Sequence, residues 1–134
     1  MKAALYSFAV FCAGIASAET TPAPMNPPTQ LLPETELADL RVAVSRCWNV
    51  GSLSTEALRT KVVVRVTINS DGRPERMTLQ GYEGGSEVAA VQAFEIARRA
   101  VIRCGAAGFP LPLTKDNQRY EATITFDPSE MRIR

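Results

Sequence analysis

Two cysteines, Cys47 and Cys104, and a few short polar clusters are the residues of this chain whose types and spacing could do chemistry. No histidine is present, so Ser-His-Asp and Cys-His catalysis and the usual His-bearing zinc sites are excluded. Asn69-Ser70-Asp71-Gly72 opens like a calcium loop, but no run of oxygen ligands leads on to a bidentate Glu, and a hairpin turn explains it. Gly84-Gly85-Ser86 ahead of a helical pattern could cradle a phosphate. Without a Lys partner or a dinucleotide fingerprint it reads as a helix cap. Arg98, Arg99 and Arg103 could form an anion patch, yet Glu95 nearby makes them a solvated helix face. Glu83 and Glu87 are the one close acidic pair beside a loop, and a solvated turn accounts for them too. The expectation is a protein that is not an enzyme and takes no metal or cofactor.

The cysteines bear on where the protein works. Met1-Lys2, the uncharged apolar run Ala3–Ile15 and the small-x-small site Ala16-Ser17-Ala18 read as a cleavable export signal over residues 1–18. That run is too short to span a bilayer, which takes about 20 apolar residues. Cys12 leaves with the signal, so Cys47 and Cys104 remain as a pair in an oxidising compartment, where a disulfide is the default. Closing the loop between them is worth roughly 4 kcal/mol against the unfolded chain. They lack a Cys-x-x-Cys arrangement and fall on apolar stripes, which favours a structural bridge over redox work. The 134 residues carry 15 basic and 14 acidic side chains, and losing Lys2 makes the two equal. That balance gives no support to a nucleic-acid or anionic-membrane partner.

Positioning falls to a domain expected over residues 34–134. Residues 19–33 hold Pro22, Pro24, Pro27, Pro28 and Pro33 with little hydrophobic periodicity, and read as a disordered, extended tether. The spacing of Leu37, Leu40, Val44 and Cys47 predicts a helix over 35–47 with Thr35 as its N-cap. Thr60–Ile68 alternates as a strand with Val62, Val64, Val66 and Ile68 on the core face, and 75–80 follows as a weaker strand with Met77 and Leu79 inward. Ser86 caps a second helix to about Cys104, with Ala90, Phe94, Ala97, Val101 and Cys104 on one face. Phe109-Pro110-Leu111-Pro112 is a rigid connector, and Tyr120, Ala122, Ile124 and Phe126 give a third strand ended by Asp127-Pro128. The predicted fold is α+β, a three-stranded antiparallel sheet with helices on one face in the order α-β-β-α-β.

Such a sheet has two edges whose N–H and C=O groups are open to another chain. The strand of Tyr120, Glu121, Ala122, Thr123, Ile124, Thr125 and Phe126 has no lysine and no internal proline, so a partner peptide could add to it. The alternative is an edge covered by the tail or by a second copy.

The order of these features resembles the C-terminal domain of TolA, which is related to that of TonB. The residues that carry the resemblance are Leu40-Arg41, Cys47-Trp48-Asn49-Val50-Gly51, Val62–Ile68 with Asp71-Gly72, and Gly85-Ser86 leading to Ala93-Phe94 and Ala97-Arg98-Arg99-Ala100. Cys104-Gly105, Leu111-Pro112 and Phe126-Asp127-Pro128 complete it, over about Leu37 to Arg134. The resemblance implies a periplasmic, non-catalytic binding domain of the Tol-Pal envelope system that engages a TolB-like peptide, Pal-linked components and in some cases colicin or phage proteins. It further implies that the last strand, Tyr120 to Phe126, lies at a sheet edge and accepts a partner strand. A TolA has an uncleaved membrane anchor and a long spacer where this chain has a signal and a short tether. The alternatives are a self-associating structural envelope component, such as a homodimer, or a membrane-tethered energy-transducer fragment.

Overall fold

A computed structural model describes Gly14 and residues 29–111 and 118–134. The chain runs β1 (Thr29–Leu31), α1 (Glu34–Ser45), a 3-10 turn (Ala57–Arg59), β2 (Lys61–Ile68), β3 (Pro74–Glu83), α2 (Glu87–Gly105), β4 (Arg119–Asp127) and β5 (Arg132–Ile133). The expected signal over residues 1–18, apart from Gly14, the tether as far as residue 28 and Pro112 of the connector lie outside the described residues.

The three-stranded antiparallel sheet is not what forms. The sheet has five strands in the order β1-β4-β2-β3, with β5 also on β4, and it is mixed because β1 runs parallel to β4. Both extra strands come from segments read as tether and tail. Thr29-Gln30-Leu31 sits between Pro28 and Pro33 and Arg132-Ile133 is two residues long, so neither is long enough to display a period of two. The domain accordingly takes in residues ahead of Glu34, and Leu32 enters the core.

Alternation in the longer strands sorts the residues as their chemistry requires. Val62, Val64, Val66 and Ile68 of β2 and Ile124 and Phe126 of β4 are fully buried on one face. Burying such side chains contributes about 1.5–3 kcal/mol each. Over this face lie Leu40 and Val44 of α1 and the small residues Ala90, Ala93, Ala97 and Ala100 of α2, which let the helix approach the sheet closely. The opposite face is polar, crossed by Arg65–Glu121 at 2.8 Å and Arg119–Glu75 at 3.2 Å.

Helix ends differ in how they are made. Ser86 caps α2, its hydroxyl accepting from the Ala89 N–H at 3.2 Å. Thr35 does not cap α1; Pro33 occupies that position, and its carbonyl accepts the Leu37 N–H at 2.9 Å. Cys47 therefore lies two residues beyond α1, in a turn closed by its N–H on the Val44 carbonyl at 3.0 Å, rather than in the helix. It is bonded to Cys104 in the last turns of α2, with Cα atoms 5.8 Å apart and a sequence separation of 57.

The β2–β3 hairpin is turned by Asn69, whose Oδ1 accepts the N–H groups of Asp71 at 2.9 Å and Arg73 at 3.0 Å. Its tip docks on the segment after α2, the Phe109 N–H donating to the Gly72 carbonyl at 2.7 Å. Gly72 has φ +79°, and a Cβ there would stand 2.6 Å from the Phe109 carbonyl oxygen, so this position requires glycine.

Candidate functional site

The strand expected to receive a partner lies inside the sheet. Along one side of β4, β2 pairs from Val62 opposite Phe126 to Ile68 opposite Tyr120. On the other side β1 pairs with Arg119, Tyr120 and Glu121, and the Leu32 N–H donates to the Glu121 carbonyl at 2.9 Å. β5 follows at the far end, where Thr125 and Arg134 exchange bonds of 2.7 and 2.8 Å. The expectation of an open edge along Tyr120, Glu121, Ala122, Thr123, Ile124, Thr125 and Phe126 is thus corrected, because the chain covers that flank with its own N- and C-terminal strands. Thr125 turns its polar backbone groups outward, so by the period of two Thr123 does as well, and it alone occupies the interval between β1 and β5. Tyr120, Ala122, Ile124 and Phe126 point into the core.

The long edge belongs to β3. Eight of its ten residues pair with β2 on one side, and among the described residues no strand pairs with the other. Register shifts leave Glu75 and Gln80 without an opposite residue, and the strand carries through Gly81, Tyr82 and Glu83, past the end expected near Gln80. Ile124 and Val64 bond each other, so the next residue, Arg65, bonds Thr78 across the β2–β3 ladder. Met77 and Leu79 consequently direct their N–H and C=O groups outward, away from the sheet.

Helix α2 forms a wall beside this edge. Gln92 reaches the Ser54 N–H at 3.2 Å on the flank of α2 toward the loop after α1, and Ile96, Arg99 and Arg103 share that side. The opposite flank, nearest the outer edge of β3, carries Val91, Phe94 and Ile102 at helical spacing, with Arg98 among them paired to Glu95 at 3.7 Å. Tyr82, Val91 and Ile102 are 42%, 48% and 41% exposed, whereas Met77, Leu79 and Phe94 are half-buried. Strand and helix together make an apolar shelf below a row of unpaired backbone groups.

The glycine-serine turn and Asp127 are engaged by the chain itself. Ser86 caps α2 and its N–H donates to Glu56 Oε1 at 2.9 Å, so the glycine-serine turn is fastened to the 3-10 segment. Among the described residues no three His, Cys, Asp or Glu side chains gather as a metal site. Asp127 is buried, and its carboxyl is held below the usual value chiefly by the Ser129 hydroxyl at 2.7 Å. Desolvation opposes that shift, while the Glu130 N–H at 3.4 Å and Lys61 at 3.9 Å reinforce it. This carboxylate turns β4 toward β5 and is structural.

Comparison with known proteins places no relative beside these features: no family model, curated protein or solved structure matches the chain.

Proposed function

We propose that this protein is a non-catalytic protein-binding domain of the cell envelope that captures an extended segment of a partner by strand addition. The observation that carries this reading is the outer edge of β3, paired on one side only among the described residues and flanked by the apolar wall of α2. Backbone bonds to Met77 and Leu79 would supply affinity, and alternate side chains of the peptide would rest against Tyr82, Val91 and Ile102 to supply selectivity. The resemblance to the TolA C-terminal domain, set out from the sequence, supports a periplasmic setting and a TolB-like peptide as partner. No helix among the described residues is long and apolar enough to cross a membrane.

The test is a titration of the 15N-labelled protein with a synthetic peptide copying a segment of a TolB. Saturable amide shifts over Arg76–Tyr82 and slowed hydrogen exchange at Met77 and Leu79 are expected. Met77→Pro, which removes an outward N–H, should abolish binding while circular dichroism stays native, and Thr123→Pro should leave it intact. The reverse pattern would move the peptide to β4, and a saturable response at neither strand would refute strand addition.

A further inference from the structure

The three arginines of α2 part company in the folded protein. Arg98 turns to Glu95, whereas Arg99 and Arg103, one turn apart, line a cleft of about 140 Å³ with Cys47, Asn49, Ser52 and Ile96. That volume holds several waters, each taking about 30 Å³. Among the described residues neither arginine has an ion-pair or side-chain hydrogen-bond partner, although the chain carries 14 acidic residues. The Asn49 Oδ1 is occupied by the Gly51 N–H at 2.9 Å, which leaves the Asn49 amide hydrogens as its free function. Ser52 adds a hydroxyl that no neighbour among the described residues uses. Among the described residues no carboxylate lines the cleft, so each polar side chain it offers can donate, and two of them are cationic. The disulfide at Cys47 ties the Asn49–Ser52 loop to the helix that bears both arginines, fixing the two walls relative to each other.

We infer that this cleft is a binding site for a phosphate group, with Arg99 and Arg103 matching its two charges and Asn49 and Ser52 donating to its remaining oxygens. Guanidinium forks suit tetrahedral oxyanions because their paired N–H groups match two oxygens at once. A dianion answers two arginines better than a single carboxylate does. The site lies on the flank of α2 away from the β3 edge and stands apart from the strand-addition reading, whose failure would leave it untouched. The phosphate can be free or the monoester headgroup of a lipid.

Calorimetric titration with inorganic phosphate at constant ionic strength, with sodium chloride as the control, tests the first source, and sedimentation with phosphatidylcholine vesicles with and without phosphatidic acid tests the second. Saturable binding to either probe is expected, weakened at least tenfold by Arg99→Gln with Arg103→Gln and unaffected by Arg98→Gln. Reduction of the disulfide should weaken it as well, by loosening the loop. Binding to phosphatidic acid vesicles alone assigns the headgroup, and binding to inorganic phosphate assigns the free ion. A response no different from chloride together with no vesicle binding would overturn the site, as would an equal loss in Arg98→Gln.

Discussion

Phe126 at the end of β4 meets Trp48 just beyond α1 edge to face, with ring centroids 5.5 Å apart and planes at 65°. The pair joins the last core position of the sheet to the turn that carries Cys47. Both residues are buried, so Phe126→Ala leaves a cavity and should cost about 3–5 kcal/mol. Because Trp48 is the single tryptophan, the same variant should shift its emission to longer wavelength before unfolding begins. A urea midpoint equal to that of the parent would show that the site collapses without loss.

Removing the covalent link between the helices tests a separate contribution. Cys47→Ala with Cys104→Ala frees a loop whose ends have a sequence separation of 57, and the chain-entropy model puts the loss at roughly 4 kcal/mol. Chemical denaturation of the double variant beside the oxidised parent measures it. Equal midpoints would mean that core packing alone holds the helices.

Asp127 gives the fold an acid limit. Its folded value lies below its unfolded value, so the stability it contributes is fully present above the ordinary carboxylate range and is lost as pH falls through the lowered value. Ser129→Ala removes the main cause of the shift and should raise the Asp127 value, as followed by carboxyl NMR titration. Asp127→Asn should flatten the loss of stability with acid over that window, and an unchanged profile would assign acid sensitivity elsewhere.

Two glycines separate backbone need from mere tolerance. Gly72→Ala forces a Cβ into the Phe109 carbonyl and a side chain into a left-handed conformation, which alone costs about 1–3 kcal/mol. Gly81 in β3 has nothing within 4 Å of an added Cβ, so Gly81→Ala should change stability by less than about 1 kcal/mol. Thermal melts of the two variants should differ clearly in midpoint.

Local pattern carried the long elements and not their arrangement. The alternation of Val62, Val64, Val66 and Ile68 and the helical spacing of Leu40 with Val44 are repeated signals, each a direct record of one buried face. Ser86 was legible as a cap because a hydroxyl before an apolar helical run has one favourable use. Strand neighbours leave no such record. Whether β4 stands at an edge depends on where Thr29–Leu31 and Arg132–Ile133 settle, and those segments are fixed by bonds to a distant strand rather than by their own periodicity. The edge of β3 was obscured differently, since the alternation of Met77 and Leu79 stops by Gln80, where the ladder in fact passes a bulge and continues. The arginine cleft depends on a loop and a helix meeting across the disulfide, so the sequence displayed Arg99 and Arg103 without showing what faced them.

The parallel alignment of β1 on β4 has a mechanical meaning. A load entering at Thr29 along the strand axis acts on the β1–β4 bonds in shear, straining them together instead of peeling them one by one. Leu32, seated in the core directly after this strand, is the anchor that such a pull would have to dislodge next.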